Sequence, residues 1–85
     1  MNSFQQFMDV NKLMEFLKQV GGAGSAYMFD GPEDSGHIHR NRQGKLVWGN
    51  NDYDQEFESD RTAAEWLIKR RYKFVGVDSL DDEEG

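Results

Sequence analysis

The chain has 85 residues, no cysteine and one proline, with ten Lys plus Arg against sixteen Asp plus Glu and a formal charge of −6. That length leaves room for one small core, and the missing cysteines exclude a disulfide framework and a thiolate metal site. With 36% apolar residues and eleven aromatics the composition is that of a folded domain, while no run approaches the roughly 18 apolar residues of a membrane span. No basic n-region followed by a long apolar stretch marks a secretory signal, so a cytoplasmic protein is expected.

The first twenty residues have helical periodicity. Val10, Leu13, Met14, Leu17 and Val20 recur at intervals of three and four, the spacing of one helix face. Phe4, Phe7 and Met8 continue the stripe backwards, Ser3 and Gln6 have capping-box spacing, and after a break near Asp9 and Asn11 either of these residues could cap a second, separate helix. Gly21, Gly22 and Gly24 stop it.

Ser25 to Phe29 is a strand candidate closed by the turn residues Asp30-Gly31-Pro32. His37 to Asn41 and Lys45 to Gly49 form a hairpin through Arg42-Gln43-Gly44, a three-residue loop with a left-handed glycine. That register sets Ile38 opposite Trp48 and Arg40 opposite Leu46 on a buried face, with His37, His39 and Val47 on the other. After the Asn50-Asn51 turn, Asp52 to Ser59 alternates as a strand. Ser59 or Asp60 caps a second helix, or Thr62 with Glu65 does so as a capping box. Ala63, Trp66, Leu67 and Arg70 share a helix face, and Lys69, Arg70 and Arg71 suit the negative end of its dipole. Tyr72 to Val77 is a last strand.

The expected fold is therefore α+β in two layers: a mostly antiparallel sheet of four to five strands with two helices on one face. Residues 1–78 form the single domain and residues 79–85 an acidic, disordered tail. A monomer or a small homo-oligomer is consistent with so small a core.

The acid is unevenly placed. Asp52 to Asp60 and Asp78 to Glu84 contain ten acidic residues and no basic one, so the rest of the chain, with six acidic and ten basic residues, carries +4. On a continuous strand Asp52, Asp54, Glu56 and Glu58, extended by Asp60, would make a row of carboxylates about 6.6 Å apart. Such a row matches a basic groove of the kind that holds nucleic acid, and it equally suits an edge strand guarded against pairing by charge. Asp54, Glu56, Glu58, Asp60 and Glu65 also fall at EF-hand positions, but Ser59 stands where that loop requires glycine.

Two histidines, His37 and His39, share one strand face and could hold zinc or copper with a third ligand from Asp30, Glu33 or Asp34. A basic cluster of Lys69, Arg70, Arg71 and Lys73, with Arg40, Arg42 and Lys45 in the hairpin, interleaves with Tyr72 and Phe74 as in single-strand binders. The overall acidity opposes direct nucleic-acid binding. No nucleophile with a paired base and no phosphate loop is legible, so neither enzyme activity nor a cofactor is expected.

A tiny, cysteine-free, acidic α/β chain without a catalytic constellation is similar in general type to the accessory proteins with which phages and mobile elements block host enzymes, including anti-CRISPR and anti-restriction inhibitors. That likeness implies a protein-binding inhibitor or adaptor. Its partner would present a basic surface to Asp52, Tyr53, Asp54, Glu56, Glu58 and Asp60, with Tyr53 or Trp48 as an aromatic anchor.

Overall fold

In the computed structural model, which describes residues 5–21 and 25–79, Asp9 opens the first helix. Its carboxylate accepts from the backbone N–H groups of Asn11 (2.8 Å) and Lys12 (3.4 Å), satisfying donors that a helix start leaves orphaned. The helix α1 (Val10–Leu17) is thus shorter than the periodicity implies. Upstream, Gln5–Gln6 forms a two-residue strand, β1, and Phe7 turns back to pack on Phe16 with ring centroids 5.0 Å apart. Ser3, Phe4, Gly22 and Gly24 lie outside the described residues.

The remaining elements are β2 (Ser25–Asp30), β3 (Ser35–Arg40), β4 (Leu46–Gly49), β5 (Asp54–Glu56), α2 (Asp60–Lys69) and β6 (Lys73–Ser79). All strand pairs are antiparallel, in the order β1-β6-β2-β3-β4-β5. The fold is α+β, as expected, with two-residue β1 as an unforeseen addition. The β3–β4 hairpin has the expected register, Ile38 opposite Trp48 and Arg40 opposite Leu46, closed by Gly44 at φ +85°. Strand β6 runs beyond Val77, because Asp78 and Ser79 pair with Ala26 and Ser25. The expected tail therefore begins in part as strand, and residues 80–85 lie outside the described residues.

Both helices cover the face that carries Phe29, Ile38, Leu46 and Trp48, and with Leu13, Leu17, Val20, Ala63, Ala64 and Leu67 these residues form one core. Burying each large apolar side chain contributes about 1.5–3 kcal/mol, so Trp48, Phe29 and Phe57, all fully buried, dominate. A bulge in β6 serves this face. Met28 pairs with Gly76 and Phe29 with Phe74, which leaves Val75 as the extra residue. Phe74 and Val77, three apart, consequently share a face.

Arg40 occupies the buried face beside Leu46, and its guanidinium holds the two helices together. Its N–H groups donate to the carbonyl oxygens of Val20 and Leu17, just past and at the end of α1, and to that of Gly44. The same fork pairs with Asp60, the first residue of α2, through Nη1–Oδ1 at 3.0 Å and Nη2–Oδ2 at 3.2 Å. Positive charge thus meets the negative end of α1 and negative charge the positive end of α2.

Helix α2 is capped by Ser59, whose Oγ accepts from the Thr62 N–H at 3.1 Å, and Glu65 pairs with Arg61 at 3.1 Å instead of completing a capping box. At its other end, Arg71 N–H donates to Ile68 O and Tyr72 N–H to Leu67 O, both at 3.0 Å, with Arg71 at φ +63°. These two bonds with a left-handed residue form a Schellman motif, whose third partner is ordinarily glycine. Arg71→Gly should therefore raise the unfolding free energy by about 1 kcal/mol, measured by urea denaturation. A variant no more stable than the parent contradicts this account.

Candidate functional site

The acidic segment divides into parts with different roles. The Asn50 side chain accepts from the backbone N–H groups of Asp52 (2.8 Å) and Tyr53 (3.0 Å), so these two residues belong to a turn. Only Asp54–Glu56 is strand. Phe57 then buries completely, and the chain bends through Glu58 into the Ser59 cap. The continuous row of carboxylates is thereby corrected: Asp54 and Glu56 share one sheet face, while Asp52 and Glu58 flank them from irregular backbone. Asp60 is withdrawn from the set by its pairing with Arg40.

Asp54 and Glu56 lie opposite Gly49 and Val47, on the face turned away from the helices, where His37 and His39 also stand. The imidazoles lie 5.5 Å apart. Burial, then the neighbouring His37, lowers the pKa of His39, and Asp54 partly opposes them. His39 Nδ1 is buried without a hydrogen-bond partner among the described residues. A side chain at position 49 would crowd this corner: a Cβ there would lie 3.0 Å from Asp54 Oδ1 and 3.2 Å from His37 Nε2. Among the described residues no three His, Asp or Glu side chains are grouped to hold a metal ion, and the EF-hand spacing falls on a strand followed by a helix.

Asp52, Asp54, Glu56 and Glu58 are exposed, and none of them has an ion pair among the described residues, whose salt bridges are Lys18–Glu15, Arg40–Asp60 and Arg61–Glu65. Glu56 accepts a neutral hydrogen bond from Asn41 Nδ2 at 2.7 Å. Tyr53, 41% exposed, is one of the few large apolar side chains at the surface. Trp48, the other aromatic considered as an anchor, is completely buried and serves the core instead.

Two members of the basic cluster are engaged within the fold, while Arg71 and Lys73 line one cleft with Gln6 and Asp30. Arg40 is consumed between the helices. Arg70 is exposed, with its guanidinium 4.6 Å above the Trp66 ring, and lines a cleft of about 210 Å³ with Pro32, Glu33, Asp34 and Tyr72. The Tyr72 hydroxyl donates to Asp34; burial, then this bond, raises the phenol's pKa. Sequence reasoning missed this cleft because its two walls, residues 32–34 and 70–72, come together only through the pairing of β2 with β6.

No helix among the described residues is long and apolar enough to cross a membrane. The chain matches no protein family, and comparison with curated proteins and with solved structures returns no match.

Proposed function

We propose that this chain is a protein-binding inhibitor or adaptor that occludes a basic, nucleic-acid-binding surface of its partner by charge mimicry, in the manner of anti-CRISPR or anti-restriction proteins. The observation that carries the reading is the set of four exposed carboxylates, Asp52, Asp54, Glu56 and Glu58, with no cationic partner among the described residues. Like charges held together on a small domain oppose folding, and a merely solubilising surface works as well with mixed signs. A basic partner relieves that repulsion and is steered to the site. Tyr53, exposed within the same segment, adds an aromatic contact.

The test is affinity capture from the native host with the full chain, followed by titration of the captured protein. Asp54→Asn/Glu56→Gln/Glu58→Gln should weaken binding at least tenfold, and the parent's affinity should fall as salt rises from 0.05 to 0.5 M, roughly the range over which exposed charges become screened. Unaltered affinity in the triple variant overturns the reading. The competing reading, direct nucleic-acid binding through Arg42, Lys69, Arg70, Arg71 and Lys73, predicts a shift of DNA or RNA by the chain itself in a low-salt gel. Charge mimicry predicts no such shift, and displacement of nucleic acid from the partner.

A further inference from the structure

We infer that the outer edge of β5 accepts an extended segment of the partner as a seventh strand, and that this segment alternates basic with apolar residues. The inference deepens the function proposed above and rests on it. Its basis is the direction of the β5 backbone. Asn50 N–H donates to Tyr53 O at 3.1 Å and Phe57 N–H to Leu46 O at 2.9 Å. The register continues through Trp48 opposite Gln55. In an antiparallel ladder, residues exchanging hydrogen bonds alternate with residues that do not. Tyr53, Gln55 and Phe57 therefore turn their backbone groups toward β4, and Asp54 and Glu56 turn theirs outward. Strand β5 ends the sheet, so two N–H and two C=O groups face a side where no strand among the described residues pairs with them.

The side chains define what fits that edge. A strand added there would set alternate residues beside Asp54 and Glu56 on the face away from the helices, where Lys or Arg is complementary. The intervening residues would lie beside Tyr53 and Gln55 on the helix-facing side, next to the exposed Tyr53 ring, where apolar groups gain contact area. A second copy does not meet this requirement, because antiparallel β5–β5 pairing would set carboxylate against carboxylate. Among the described residues the opposite sheet edge offers two, Gln5 and Gln6 of β1, neither of them charged.

The experiment is amide hydrogen exchange by NMR on the full chain, with an eight-residue peptide alternating lysine and valine as the probe at millimolar concentration. A peptide of the same composition, with four lysines followed by four valines, is the control. Strand addition slows the Asp54 and Glu56 amides at least tenfold with the alternating peptide only. Unchanged exchange, or equal slowing by both peptides, overturns it. Two variants then separate edge pairing from charge. Glu56→Pro removes an outward N–H, a position where an edge strand tolerates proline, whereas Glu56→Gln keeps that donor and loses the charge. Edge pairing requires Glu56→Pro to bind the alternating peptide at least tenfold more weakly than Glu56→Gln. Equal losses, with native circular dichroism in both variants, reject the seventh strand while leaving the charge reading standing; failure of the triple carboxylate variant to weaken partner binding rejects that reading separately.

Discussion

Arg40→Ala should lower the unfolding free energy by about 2 kcal/mol, between the scales for an exposed ion pair and for one member of a fully buried one, because this hydrogen-bonded pair is part-buried. The guanidinium is largely enclosed, with 18% of its side-chain surface exposed against 28% for Asp60. Its loss strands the Asp60 carboxylate and takes a donor from the carbonyl oxygens of Leu17, Val20 and Gly44, and unpaired buried groups retain their desolvation penalty. Arg40→Lys preserves the charge but not the planar fork, so its cost should fall between those of the parent and the alanine variant. Urea denaturation of Arg40→Ala, Asp60→Asn and the double variant gives the coupling directly. A loss under about 0.5 kcal/mol for Arg40→Ala, within the range of ordinary surface substitutions, would show that the bridge between the helices is dispensable.

Gly36→Ala should be more damaging, at about 3 kcal/mol, near the upper end for overpacking a filled core. A Cβ at this position would lie 2.5 Å from Trp48 Cζ2, 2.8 Å from Cε2 and 2.6 Å from the Gly49 carbonyl oxygen. The indole has nowhere to move, because Trp48 is completely buried and its ring packs against Tyr72 at 4.5 Å and Trp66 at 5.2 Å. The carbonyl belongs to the paired strand β4. In a domain of this size such a loss corresponds to a fall in Tm of roughly 12–24 °C, read by thermal melting, with a red shift of tryptophan emission in the destabilised state. Gly31→Ala provides an informative comparison. There the Cβ would meet the Tyr72 ring at 2.5 Å, and that ring is also buried, stacked on Trp66 and tied through its hydroxyl to Asp34, so a loss of similar size is expected. Wild-type stability in Gly36→Ala would refute the claim that the indole is immovable.

The parts of the fold that were legible beforehand are those specified by neighbours in the chain. The β3–β4 register followed from alternation on both sides of a loop ending in glycine, and the start of α2 was narrowed to Ser59, Asp60 or a Thr62–Glu65 box, among which the structure selects Ser59. The β1 strand was hidden because its pairing residues, Phe74 and Lys73, lie at the other end of the sequence, and its amino acids carry no strand pattern of their own. Alternation between positions 52 and 58 overstated β5 for a different reason: side-chain competition ends it on both sides, Asn50 capturing the backbone ahead of it and Ser59 opening α2 behind it.

The candidate site was legible in composition and not in form. Density of carboxylates was plain, but separating the four without ion pairs from Asp60 required knowing that Arg40 reaches across from β3. Arg40 itself illustrates the limit of pattern reading: its position opposite Leu46 placed it correctly on the buried face, while its charge suggested membership of an external basic cluster. The helix carbonyl oxygens that make burial tolerable come from a segment twenty residues away and leave no mark in the hairpin's own sequence.

The place of β6 in the sheet bears on the order in which the molecule is completed. Strands β2 to β5 join consecutive neighbours through short turns, whereas β6 must insert between β1 and β2, bringing Lys73 to Asp30 and Ser79 to Ser25. During synthesis the meander emerges first, but its β2 border stays unpaired until residues 73–79 have left the ribosome. Closure of the longest loops is thus deferred to the end, the ordering that slows folding and leaves strand edges open longest. A chain stopped before Lys73 would lack β6, the neighbour of β1 among the described residues, and would turn β2 from an interior strand into an open border.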